Sequence, residues 1–86
     1  MRIAIVDDIA SERTLLHARL EQQLMKRGVH ADLAEFENGE SFLKAAKERP
    51  FAVLFLDIYM DGANGVEIAR ELRKSDPDCL LIFTTT

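Results

Sequence analysis

An α/β fold built on a doubly wound parallel sheet is what this sequence predicts, and three observations carry it. Short β-branched and apolar runs recur at residues 2–6, 31–36, 51–56 and 80–84. Three of them are continuously apolar rather than alternating, as in strands covered by helices on both faces. Helical patterns fill each gap between them. The order β-α-β-α-β-α-β is that of a parallel sheet with right-handed crossovers, folded as one domain over residues 1–86.

The first strand, Arg2-Ile3-Ala4-Ile5-Val6, runs straight into Asp7 and Asp8. The spacing predicts a helix over 11–27, with Leu16, Leu20 and Leu24 on one face and charged residues elsewhere. Basic Lys26 and Arg27 followed by Gly28 make its stop. The second run, Ala31-Asp32-Leu33-Ala34-Glu35-Phe36, is mixed and suits an edge strand. A second helix over 40–49 turns Phe42, Leu43 and Ala46 inward; Glu40 and Lys44 stand at favourable i, i+4 spacing, and Pro50 ends the segment. The third strand reads as 51–56, with Asp57 following it directly. A third helix over about 66–74 starts near Asn64 or Gly65 and turns Val66, Ala69 and Leu72 to the sheet. Ser75-Asp76-Pro77-Asp78 is a turn cluster leading to the fourth strand.

Composition narrows the function. Apolar residues make up 48% of the chain and charged ones 30%, an ordinary globular balance. Eleven Lys and Arg against fifteen Asp and Glu leave a net charge of −4, which argues against nucleic-acid binding by this surface. A single cysteine, Cys79, excludes an internal disulfide and a cysteine-based zinc site. The longest apolar run falls far short of the ~20 residues of a membrane span, and the N-terminus turns acidic too soon for a signal peptide. A soluble cytoplasmic protein without membrane contact is the expectation. His17 and His30 read as surface residues, Cys79 as a small partly buried thiol, and Met25 and Met60 as packing residues.

Chemistry in an open α/β sheet sits outside the carboxyl ends of the strands. Asp7, Asp8 and Asp57 all fall there. Any one of them alone reads more readily as a helix cap or loop acid. If strands one and three are neighbours, all three converge. Packed carboxylates repel, raise one another's pKa and invite a divalent cation, and oxygen-only ligation suits Mg²⁺. Thr84, Thr85 and Thr86 reach the same sheet edge, where a hydroxyl can hydrogen-bond a phosphoryl oxygen; threonine is also simply a good strand former.

Val6-Asp7-Asp8, Phe55-Leu56-Asp57-Ile58-Tyr59-Met60, Asn64-Gly65-Val66-Glu67 and Leu81-Ile82-Phe83-Thr84-Thr85 together resemble the receiver domain of bacterial two-component response regulators. The resemblance covers essentially the whole chain. Phe36-Glu37-Asn38-Gly39-Glu40 and the stretch around Asp57 are most similar to the LytTR-type branch, whose members usually carry a C-terminal DNA-binding domain. The resemblance implies a flavodoxin/receiver-like sheet in the order 2-1-3-4, incomplete after the fourth strand. It implies Asp57 as phosphoacceptor toward the phosphohistidine of a sensor histidine kinase. Asp8 matches a direct Mg²⁺ ligand, Asp7 its acidic neighbour, and the backbone carbonyl of Tyr59 the third protein ligand beside Asp57. Thr85 matches the switch hydroxyl, with Thr84 next in line. An aspartate is a weak nucleophile toward phosphorus, so charge neutralisation and in-line positioning carry most of such a reaction.

Two departures qualify the match. Asp61, followed by Gly62, stands where the family usually has proline. The family pattern also continues into a helix, a fifth strand with a phosphoryl-binding lysine and a last helix; Lys44, Lys47 and Lys74 lie on helices and cannot take that lysine's role. The leading expectation is therefore an Asp-phosphorylated, Mg²⁺-dependent signalling switch that is not a turnover enzyme. The alternative is a phosphorylation-impaired interaction or dimerisation module. A Mg²⁺-dependent phosphohydrolase is disfavoured, because Tyr59 stands where such enzymes place a second acid. With the fourth strand as a bare apolar edge, a homodimer through that edge or through exchange of elements is expected. DNA contact would come only from a C-terminal output domain.

Overall fold

The computed structural model describes residues 1–60 and 64–84. Four parallel strands, β1 (Arg2–Val6), β2 (Asp32–Phe36), β3 (Val53–Asp57) and β4 (Leu80–Thr84), form one sheet in the order β2-β1-β3-β4. Three helices connect them: α1 (Ala10–Lys26), α2 (Gly39–Glu48) and α3 (Gly65–Ser75). The strand order is the expected 2-1-3-4, with β2 at one edge and β4 at the other. β1 and β3, which end in the candidate acids, are central and adjacent.

The helix ends follow local chemistry. α1 stops where Gly28 enters the left-handed region at φ 66°. There the Gly28 amide donates to the Met25 carbonyl at 3.2 Å and the Val29 amide to the Leu24 carbonyl at 2.9 Å, which satisfies carbonyls the helix leaves open. α2 begins at Gly39, a residue earlier than expected, because Asn38 caps it: Asn38 Oδ1 accepts from the Ser41 amide at 2.8 Å. Asn64 caps α3 in the same way, accepting from the Val66 amide at 2.8 Å.

Ala4, Val6, Leu54 and Leu56 share one face of the sheet, where they join Phe42, Phe51, Ile68, Leu72 and Cys79 in a single core under α2 and α3. Ile3 and Ile5 are buried as well, and α1 packs on β1 and β2. α1 contributes no fully buried residue, and Leu16, Leu20 and Leu24 are half-buried, because one helix alone cannot enclose its stripe.

Several expectations are corrected. β3 starts at Val53, not residue 51, and Asp57 is its last residue rather than the one after it. The apolar run is longer than the strand because Phe51 is buried by ring packing, 5.9 Å from Phe36 and 5.7 Å from Phe42. On α3 the inward stripe is Gly65, Ile68 and Leu72, whereas Val66 is exposed. The helix is phased by Gly65, which must face β3. Met25 is 77% exposed, whereas Met60 does pack against the core. Cys79 is buried outright, and that burial pushes its thiol pKa up.

β4 pairs only with β3 among the described residues. Its Leu80, Ile82 and Phe83 are 59%, 37% and 44% exposed, so the apolar edge expected from the sequence is present.

Burial separates residues that look alike in the sequence. Leu54→Ala should lower stability by about 2–5 kcal/mol, the usual range for a core cavity, and Met25→Ala by less than about 0.5 kcal/mol. Urea unfolding of the two variants checks this; equal midpoints would contradict the packing described.

Candidate metal and acceptor site

The site is assembled by the ends of the two central strands. Asp7 follows β1 and is held by two backbone contacts and one side-chain contact. Its amide donates to the Phe36 carbonyl of β2 at 3.1 Å. Its carbonyl accepts from Arg13 Nη1 at 2.7 Å, and its Oδ1 accepts from the Ile9 amide at 2.9 Å. Asp8 is next along the chain and half-buried. Asp57 closes β3 and is wholly buried, and Asp7 is nearly so. Adjacent parallel strands bring these ends together, and one carboxylate oxygen from each of Asp7, Asp8 and Asp57 lies within 4.8 Å of the others.

Asp57 is the unusual member. Its Oδ1 accepts from the Tyr59 amide at 3.1 Å, whereas its Oδ2 is buried with no hydrogen-bond partner among the described residues. A buried oxygen of this kind carries an uncompensated desolvation cost. Burial raises the Asp57 pKa above the ordinary carboxylate value; the Tyr59 amide opposes that, and the charges of Asp7 and Asp8 add to it. The donor set, three hard carboxylates with one oxygen left unsatisfied, fits a small divalent cation such as Mg²⁺.

The corner beyond Asp57 is closely packed. The Ile58 amide donates to the Thr84 carbonyl at 3.2 Å, and the Gly65 amide to the Ile58 carbonyl at 3.1 Å. A Cβ on Gly65 would lie 2.5 Å from the Asp57 carbonyl oxygen and 2.9 Å from Ile58 Cα. Only glycine lets α3 start this close to the end of β3.

The structure thus brings Asp7, Asp8 and Asp57 together and sets Tyr59 against Asp57 through its amide. Thr84 sits directly opposite Asp57 in the β3–β4 register. Thr85 lies outside the described residues, as do Asp61 and Gly62. Lys44 and Lys47 are exposed on α2, and Lys74 pairs with Glu71 at 2.8 Å on α3. Sequence reading passed over Arg13 and Glu35. Their signal was available: a charged residue interrupting the second strand, and an arginine one helical turn beyond the acidic pair.

Comparison with known proteins agrees with this geometry. The sequence pattern of the "Response regulator receiver domain" matches residues 3–86. The chain is 36% identical over 84 residues to the response regulator receiver protein CpdR of Brucella abortus, covering 98% of this chain and 65% of CpdR. It is 36% identical over 87 residues to the sensory transduction protein LytT of Oceanobacillus iheyensis, covering 99% of this chain and 35% of LytT. The chain therefore spans less than two thirds of either relative. The response regulator protein TrrA of Thermotoga maritima, solved in complex with Mg²⁺-BeF, superposes with a TM-score of 0.84 at 34% identity, covering 98% of this chain and 68% of that one. TrrA in complex with the histidine kinase ThkA gives a TM-score of 0.74 at 38% identity, covering 99% and 68%.

Removing the Asp57 charge tests the electrostatics. In the metal-free protein, Asp57 is protonated in both folded and unfolded states well below the ordinary carboxylate pKa, so burial then costs no ionisation energy. As pH rises through that value toward the raised folded one, only the unfolded state ionises freely, and stability falls. Asp57→Asn should therefore stabilise the metal-free fold at pH 7 by about 1–3 kcal/mol, the range for a buried group without its partner. The gain should shrink toward zero as pH drops below the carboxylate range. Thermal unfolding across pH measures it, and a gain independent of pH would contradict the account.

Proposed function

Because this chain belongs to the response regulator receiver domain family, we propose that it works as a phosphoacceptor switch, with Asp57 as the acceptor. The observation that carries this reading is the buried Oδ2 of Asp57, unpartnered among the described residues, at the meeting point of three carboxylates. A structural aspartate would have its oxygens satisfied; this one is kept ready for a ligand.

In the proposed reaction a carboxylate oxygen of Asp57 attacks phosphorus in the phosphohistidine of a sensor histidine kinase. A P–O bond forms and the P–N bond breaks, leaving an acyl phosphate on Asp57 and returning the imidazole to the kinase with a proton from solvent. The solved complex of TrrA with a histidine kinase supports a partner of that class. Asp8, Asp7, Asp57 and the Tyr59 carbonyl would hold Mg²⁺, and TrrA with Mg²⁺-BeF supports that ion. When bound, the ion neutralises charge on the carboxylates and on the transferring group. The Tyr59 amide fixes the Asp57 rotamer, and Asp7, held through its own backbone, keeps the second carboxylate in place. Thr85 is the proposed switch hydroxyl, with Thr84, opposite Asp57, as its neighbour. The transfer ends on the protein itself, so the domain signals rather than turns over substrate.

No helix among the described residues is long and apolar enough to cross a membrane, in keeping with a cytoplasmic role. Any DNA contact would come from a C-terminal output domain rather than from this acidic chain.

The exposed β4 edge supports one further assignment, a homodimer of the 86-residue chain through β4. Leu80 and Ile82 would be buried against a second copy, with the strand's free N–H and C=O groups paired.

Two measurements follow. Incubation with acetyl phosphate and Mg²⁺ should add one phosphoryl mass to the chain and none to Asp57→Asn, while Asp8→Asn should weaken Mg²⁺ binding by at least about tenfold. Labelling of Asp57→Asn at the original rate would sink the acceptor assignment. Light scattering at micromolar concentration should give twice the 9.7 kDa chain mass; a monodisperse 9.7 kDa species would rule out the dimer.

A further inference from the structure

Arg13 is tied to the backbone that carries the acidic pair. Its Nη1 donates to the Asp7 carbonyl at 2.7 Å, and its Nε lies 3.5 Å from Glu35 Oε1 on β2. The Arg13 side chain is only 16% exposed. Glu35 is itself anchored, because its Oε2 meets His17 Nδ1 at 2.8 Å, and His17 Nε2 lies 3.2 Å from Glu21 Oε2. A chain of polar contacts thus runs from α1 and β2 to the peptide carrying Asp7.

We propose that Arg13 is a positioning residue for the divalent-cation site, holding the Asp7–Asp8 corner in the geometry that lets both carboxylates meet Asp57. This rests on the reading of the acidic cluster as a cation site. The physical case has two parts. Three converging like charges push the β1–α1 corner apart, so the corner needs a restraint that does not use the carboxylates themselves. A guanidinium on the Asp7 carbonyl supplies one, since it fixes the peptide plane from which Asp8 departs. Glu35 also faces the same guanidinium and offsets its charge. An unopposed cation this close would repel a divalent ion; the pair leaves a restraint with little net charge.

Position and charge are separable by salt. At about 1 M KCl the screening length falls to about 3 Å, and effects of net charge fade while those of geometry remain. With Mn²⁺ as the probe, affinity is read by electron paramagnetic resonance under that condition. Arg13→Gln should weaken Mn²⁺ binding about tenfold, the lower end of losses for groups that orient ligands. Arg13→Lys, which keeps a donor, should recover to within about threefold. Leu20→Ala, on the same helix and half-buried, lowers stability and should leave the affinity unchanged. Arg13→Met, checked for fold by circular dichroism, stands in if Arg13→Gln does not fold. Unchanged affinity in Arg13→Gln, no recovery with Lys, or an equal loss in Leu20→Ala would overturn the assignment. An unaltered chain that binds no Mn²⁺ would overturn the cation site itself, and the role of Arg13 with it.

Discussion

One oxygen governs this molecule. Asp57 Oδ2 is buried at the end of a central strand, among two other acids and without a hydrogen-bond partner among the described residues. A fold of this size has about 5–15 kcal/mol of net stability to set against all such costs. It can keep an unsatisfied carboxylate only because the surroundings are rigid. Leu54 and Leu56 lock β3 into the core, and the β1–β3 ladder pins the two acid-bearing ends side by side. The energy withheld from folding is what a cation or a phosphoryl group would recover on binding.

The neighbouring elements make sense as supports for that oxygen. Gly65 allows α3 to close over the β3 end, where any side chain would strike the Asp57 carbonyl. The Tyr59 amide holds the other oxygen, so the free one has a fixed direction. Asp7 is tethered through its backbone to β2 and α1, so the corner that carries it is held by more than its carboxylate. The core lies under α2 and α3, whereas α1 has no fully buried residue. The more buried side of the sheet is therefore the one under α2 and α3.

Much of this was legible in the sequence, for local reasons. Continuous apolar runs ending in aspartate give both the strands and the acids, and the alternation with helical stripes gives the element order. The β2-β1-β3-β4 order came from family resemblance rather than periodicity, and it holds. What stayed hidden depends on contacts between elements. Phe51 looks like strand but serves a ring cluster; Val66 looks inward, but Gly65 sets the helix phase; Met25 looks like packing and faces solvent. The Arg13–Glu35 contact joins a helix to a strand more than twenty residues away, and no spacing rule announces it. Asn38 and Asn64 both cap helices, a role their residue type permits but only the position of the first helical turn decides.

The central claim is that Asp57 is strained by its own burial and relieved by a cation. It is tested most directly by titrating the Asp57 side-chain carboxyl carbon by NMR, with and without Mg²⁺. Without the ion, the carboxyl should titrate above the ordinary carboxylate range; with saturating Mg²⁺ it should move below that range, since a bound cation favours the ionised form. An ordinary pKa unaffected by Mg²⁺ would contradict the account.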